Sequence, residues 1–345
     1  MKKLSILFLL FLVFRVAAQE DRVITTAVPF LTIAADARAS GMGDMGVATS
    51  TDAFSQQWNP AKFAFAERKM GIGLSYTPYL ESIITDIALL SANFHNKIND
   101  RSAFAFSIRY FTLGEIELRQ FAGDQARLAK PNELAFDGSY NGSEDSKAAS
   151  SFAVDVSAYY RSREIAYNSF DGRWRAGFNI SNLGSKIKYD DAGQENFLPT
   201  NLKAGFGFDF ILDQDNVLGL TTEFNKLLVP TPQDYNEDGV IDGTDNDEYQ
   251  QTTFFEGVFK SFGDAPDGFS EELKEFTWAL GAEYTYQNAF MLRTGYFNES
   301  DLKGSRKFFT LGAGFRFKSA QVDLSYLFST SQVRNPLENT LRFSL

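Results

Sequence analysis

From Met70 to Leu345 the chain repeatedly alternates aromatic or aliphatic residues with small or polar ones. Met70, Ile72, Leu74 and Tyr76 share one parity, with Gly71, Gly73 and Ser75 between them. Phe104, Phe106, Ile108 and Tyr110 share a parity in the same way, opposite Ala103, Ala105, Ser107 and Arg109. A β-strand sends successive side chains to opposite faces, so each stretch reads as a strand with one apolar face. Repeated across a chain of 345 residues holding 35 Phe, 14 Tyr and 3 Trp, the pattern predicts an all-β fold. The expected form is a transmembrane antiparallel β-barrel, apolar toward lipid and more polar within, of about 14 strands; the density of Phe on single strand faces favours it over a periplasmic β-sandwich or solenoid. Closure removes the exposed edges that so large a sheet would otherwise present. Strands are expected over 70–76, 83–95, 101–113, 151–161, 173–182, 202–212, 216–227, 276–287, 289–298, 307–317, 320–330 and 339–345. Polar, weakly periodic stretches near 114–149 and 229–274 read as large exterior loops. Short turns such as Leu212–Asn216 alternate with them. Thr253–Phe259 reads as strand or helix, and Phe269–Phe276 as a short helix capped by Ser270.

The N-terminus is that of an exported protein. Lys2 and Lys3 precede an apolar run from Leu4 to Val13, and Val16-Ala17-Ala18 precedes a cut next to Gln19. Residues 1–18 are therefore read as a signal peptide, 19–68 as an N-terminal segment packed in the barrel as a plug or lining, or lying across its periplasmic end, and 69–345 as the barrel. No other stretch approaches the ~18 continuous apolar residues of a membrane-crossing helix. Cysteine is absent, so the fold relies on its core and on sheet closure rather than on disulfides. A formal charge of −11 argues against nucleic acid as a partner.

Residues with enzymatic potential are sparse. The chain has one histidine, His95, expected at a hairpin end, and neither a Gly-x-Ser-x-Gly elbow nor a phosphate-binding loop. Gly41-Met-Gly43-Asp-Met-Gly46 matches a dinucleotide string but follows no strand of a βαβ unit. The sharpest local motif is Asp234-x-Asn236-x-Asp238-Gly239-Val240-x-Asp242-x-x-Asp245. Its oxygen donors and turn glycine have the spacing of a twelve-residue calcium loop, with Asp245 where a bidentate Glu is usual and without clear flanking helices. It is read as a candidate site for a structural calcium; a solvated acidic loop is the alternative. Asp155, Arg161, Arg173, Arg175, Asp209, Glu223, Glu283, Arg293, Arg316 and Asp323 fall in or beside strands. Lipid-facing charges are costly, so most of these are expected to face the lumen. Phe254, Phe255, Phe259, Phe262 and Phe269 are candidate anchors for a protein partner, or else cover the barrel mouth.

One segment carries a family resemblance. Ala34-Ala-Asp36-Ala-Arg38-Ala-Ser-Gly41-Met-Gly43, then Asp52-Ala53, then Gln57-Trp58-Asn59-Pro60-Ala61, resembles the opening of long-chain fatty-acid transporter barrels. More closely it resembles the PorV (LptO) branch of the PorV/PorQ family. The resemblance implies a fourteen-stranded outer-membrane barrel of the type IX secretion system, without catalytic residues. It also implies partners: a SprA/Sov-like translocon barrel, the C-terminal domains of secreted cargo, and a PorU-like sortase attachment complex, all within outer-membrane lipid. Cargo of such systems serves gliding motility among other roles. A channel for hydrophobic small molecules is the competing function, and the fold likeness to fatty-acid transporters does not by itself carry it.

Overall fold

The computed structural model describes residues 23–81, 86–99, 102–118, 127–136, 139–142, 149–188, 195–235, 245, 249, 251–331, 333 and 335–345. The leader, and Asn236, Asp238, Val240 and Asp242 of the acidic motif, lie outside the described residues.

Sixteen hydrogen-bonded strand segments form one antiparallel sheet. Ala149–Ser151 and Ala153–Arg161 are one strand interrupted at Phe152, and Ile165–Ala166 continues along the same neighbour. Counting these three segments as one crossing leaves fourteen wall strands. They are β1 (Met70–Pro78), β2 (Ile87–Asn99), β3 (Ser102–Leu113), β4 (Asn132–Phe136), β5 (Ser139–Gly142), β6 (Ala149–Ser151 with Ala153–Arg161), β7 (Asp171–Gly184) and β8 (Asn201–Ile211). The remainder are β9 (Asn216–Leu227), β10 (Thr277–Tyr286), β11 (Phe290–Asn298), β12 (Lys307–Phe317), β13 (Ala320–Ser329) and β14 (Leu341–Ser344). Each pairs with the next in sequence, and β14 pairs back to β1 through Ser344 opposite Ser75. β6 pairs with β5 at its start and with β7 along the rest of its length. The ring is therefore closed.

The alternation sorts as the lipid–lumen argument requires. Met70, Ile72, Leu74, Tyr76, Phe104, Phe106 and Tyr110 are exposed on the outer face, while Ser75, Ser91, Asn93 and Ser107 are buried on the inner one. Among the described residues no helix is long and apolar enough to cross a membrane.

Three local readings need correction. The stretch 114–149 is not loop throughout: it holds β4 and β5, and above them the small hairpin Ile116–Leu118/Arg127–Ala129. His95 is not at a hairpin end. It lies within β2, buried and stacked on Phe63 with ring centroids 4.7 Å apart. The helix Phe269–Glu272 is preceded by Gly268 at φ 75° with no side-chain cap, so Ser270 is inside it rather than capping it. Only glycine adopts that backbone readily, and it fixes the helix start.

Candidate functional site

Residues 29–65 occupy the lumen. They fold as a 3-10 turn (Pro29–Thr32), two single-turn helices, α1 (Ala37–Ser40) and α2 (Ser55–Trp58), and a longer 3-10 helix (Pro60–Phe65). Such short pieces bury little surface on one another. Contact with the wall holds them instead. Arg38 donates from Nε and Nη2 to Glu283 of β10 at 3.0 and 2.8 Å, and from Nη1 to Asp52 at 2.7 Å. Glu283 also accepts from Arg293 of β11 at 2.6 Å, and Arg293 reaches Asp323 of β13 at 2.7 Å. Gly46 and Val47 both donate their backbone N–H to Glu223 of β9 at 2.8 Å. Arg342 of β14 pairs with Asp44 at 2.8 Å, and Arg175 of β7 with Asp209 at 2.7 Å. The strand charges that a lipid face would penalise thus meet inside, and several bind the plug.

The plug also packs without slack. Gly43 has φ 83°, and a Cβ there would sit 3.1 Å from the Tyr296 carbonyl oxygen; one on Gly295 would sit 2.1 Å from the Met42 carbonyl carbon. A Cβ on Gly41, which closes α1, would sit 3.0 Å from Gly312 Cα of β12. Asp36 caps α1 by accepting from Ala39 N at 2.8 Å and joins the two helices by accepting from Trp58 Nε1 at 2.7 Å. Asp36, Arg38, Gly41, Gly43, Trp58, Asn59, Pro60 and Ala61 are therefore parts of one packed body.

Asn59, Pro60 and Ala61 have a second setting. β4 pairs with β3 only over Ile108–Thr112, so Ser102–Ser107 of β3 and Ala153–Arg161 of β6 have no strand between them among the described residues. At ~3.3 Å per residue this is a window on the order of 20 Å tall in the wall. Pro60–Phe65 lies behind it. Asn59 caps this helix by accepting from Ala61 N at 3.1 Å, with Pro60 in the first turn where its missing N–H costs nothing. Asn59 Nδ2 donates to Val47 O at 2.9 Å and to Ala158 O of β6 at 3.0 Å. Ala61 N also donates to Ser157 Oγ at 3.2 Å, and Phe65 packs edge-on against Tyr159 at 5.2 Å.

The end of the barrel between β9 and β10 is built differently. Between β9 and β10 stand α3 (Phe254–Lys260), capped by Thr253, and α4 (Phe269–Glu272) with the 3-10 turn Leu273–Glu275. A buried ionic cluster anchors this cap. Lys226, fully buried at the top of β9, donates to Glu272 at 2.7 Å and to Glu275. Lys303 donates to Glu271 at 2.7 Å and to Glu275 at 3.0 Å. Burial raises the Glu275 carboxyl, but hydrogen bonds from Lys226, Thr231 and Lys303 outweigh it and hold it below its ordinary value. Sequence reasoning missed this cluster; Glu271, Glu272 and Glu275 share one side of a short helix, and that spacing was the available signal. Carboxylate oxygens of Asp264, Glu272 and Glu275 lie within 4.8 Å of one another, a small acidic cluster able to coordinate a metal ion. Asp264 is raised to about 6, mainly by burial. Of the acidic motif, Asp234 and Asp245 are described; Asp245 is buried and accepts from Tyr235 N at 2.8 Å, closing the loop at its base.

The predicted aromatic anchors lie on this cap. Phe255, Phe259 and Phe269 are 71, 76 and 76 % exposed, Phe262 is exposed, and Phe254 is half-buried against Phe255 at 5.0 Å. Phe259 and Phe262 border a groove of about 510 Å³ with Pro230, Tyr235, Lys260 and Asp264.

Comparison with known proteins gives a family and distant folds. The model of the family described as "Type IX secretion system protein PorV" matches residues 16–143 and 141–234. No curated protein matches the chain significantly. Among solved structures, a Pseudomonas aeruginosa FadL homologue is similar over 94 % of this chain and 98 % of its own, at 13 % identity and a TM-score of 0.38. The CymD monoaromatic hydrocarbon channel is similar over 91 % of this chain and 95 % of its own, at 12 % identity and a TM-score of 0.41.

Proposed function

The chain belongs to the PorV family of type IX secretion system proteins, and from that premise we propose that it is the shuttle of this system. It docks on a SprA/Sov-like translocon barrel, accepts secreted cargo by the cargo's C-terminal domain and passes it to a PorU-like sortase attachment complex. Family membership itself places the protein in the outer membrane, with a non-catalytic role in protein transport. The observation that carries the finer reading is the pairing of a filled lumen with exposed phenylalanines at the outer end. Aromatic side chains held on rigid, salt-bridged elements are what protein hot spots are made of. A cap that only covered the mouth would turn Phe255, Phe259 and Phe269 inward, and they point out.

A channel for hydrophobic small molecules needs a path past residues 29–65. The ion pairs of Arg38, Glu283 and Arg293, and the sub-van der Waals spacing a Cβ would meet at Gly43 and Gly295, weigh against it. We further propose that calcium, if bound, serves the Asp234–Asp245 loop structurally. Deleting the gene should leave cargo uncleaved or unexported in an intact envelope, and detergent extracts of the wild type should yield this chain with a very large barrel and with cargo. Normal secretion in the deletion strain overturns the reading.

A further inference from the structure

The ring closes on a short seam. β1 pairs with β2 from Met70 to Pro78, but with β14 only at Ser75 and Tyr76, beside which Leu74 and Leu345 exchange backbone hydrogen bonds at 2.8 Å. Its inner face is polar and buried: Ser75 and Thr77 come from β1, Arg342 and Ser344 from β14. Residues 35–44 of the plug lie against it and bond to both sides. On β14, Ser344 Oγ accepts from Ala37 N at 2.7 Å. Arg342, 1 % exposed, donates from Nη1 to Ser40 Oγ and to Asp44 Oδ1, the latter at 2.8 Å. Both partners belong to the plug. On β1, Thr77 Oγ1 donates to Ala35 O at 3.2 Å.

Lipid offers no hydrogen bonds to an open strand edge, so the membrane side favours a closed seam. The lumen side differs. Water entering behind a displaced plug solvates Thr77, Arg342, Ser344 and the peptide groups beside them, and the bonds across the seam lose much of their advantage. We propose that residues 35–44 are a strap across the seam. Seated, they hold β1 against β14; displaced, they let the two strands part, and the wall opens sideways between Leu74–Pro78 and Leu341–Leu345. The plug then governs a lateral opening as well as blocking the axial path, whatever partner meets the cap. The ends of the seam have their own ties: Arg68 donates to the carbonyls of Lys318 and Ser319 at 2.6 and 2.9 Å, and Leu80 N to Pro336 O at 2.7 Å. The Arg68 bonds are solvent-exposed and contribute little. These ties keep the strands associated while the middle of the seam parts.

The test uses the full chain in nonionic detergent with paired nitroxide labels on introduced cysteines; the chain has no cysteine of its own to compete. One pair replaces Tyr76 and Phe343, exposed and opposite each other across the seam; the control pair replaces Phe290 and Phe315, exposed and opposite on β11 and β12. Dipolar coupling reads each separation. Arg342→Ala with Ser344→Ala cuts the strap from β14 and should lengthen the 76–343 distance by about one strand spacing, ~5 Å, with the control pair as in wild type. Thr77→Val should lengthen it less. Glu283→Ala, which frees the plug from β10 without touching the seam, should open it as well. An unchanged 76–343 distance in the Arg342/Ser344 variant overturns the proposal. So does a seam that stays closed in Glu283→Ala once trypsin shows the plug displaced. Lengthening at both label pairs also overturns it, because the wall as a whole would then have loosened.

Discussion

The lumen plug and the α3–α4 cap are both irregular segments tied to the wall by buried ion pairs, yet they treat their aromatic residues in opposite ways. In the plug, Phe30, Phe54, Trp58 and Phe63 are buried, Phe30 stacking on Phe111 of β3 and Phe63 on His95 of β2. In the cap, the ionic cluster is buried and the phenylalanines face out. One segment spends its contacts on sealing the barrel; the other spends only its base and leaves its aromatic face unpartnered. The difference separates a scaffold from a surface.

That contrast breaks most readily at Glu283. Glu283→Ala leaves Arg38 and Arg293 without their shared anion, and loss of one partner of a buried pair costs about 3–5 kcal/mol. The expected outcome is a plug that trypsin cuts while the wall still resists heating in detergent. A variant whose plug stays protected would show that packing alone holds it. Asn59→Ala removes the cap of the Pro60–Phe65 helix and the bond to Ala158 O, about 1–3 kcal/mol. A cysteine placed at Phe65 should then become reachable by a membrane-soluble thiol reagent in that variant and not in its parent.

The cap should respond more mildly. Asp264 has a folded pKa of about 6 against an ordinary 3.8, so the folded cap holds its proton more tightly than the unfolded chain does. Its contribution to stability is complete below 3.8 and fades as pH rises through about 6. Protease cleavage within 254–275 should accordingly quicken between pH 4 and pH 7, and Asp264→Asn should flatten the profile. Chelating calcium should expose the 234–245 loop to protease with the wall unchanged, and protection that chelator leaves intact would exclude the proposed metal. The smallest stability effect belongs to Phe255→Ser with Phe259→Ser, within about 0.5 kcal/mol because both rings are solvated. Their loss should show in partner co-purification instead.

How legible all this was depended on length and distance. Long strands announced themselves: Asn216–Leu227 and Lys307–Phe317 match the periodic stretches to the residue. β4 and β5 did not, because five and four residues are too short to show a period. The side window they leave was therefore invisible as well. The strand charges were rightly expected inside, but nothing local ties Arg38 to a glutamate 245 positions away. His95 shows the same limit: its place within a strand follows from β2 running on to Asn99, past position 95 where the expected strand ended.

The most direct test of the account places a photo-crosslinking amino acid at Phe259 in living cells, with a second strain carrying it at Met42, buried in the plug. The account predicts adducts from position 259 to a very large outer-membrane barrel or to secreted cargo, and from position 42 only within the chain. Intermolecular adducts from position 42 with none from position 259 would contradict it.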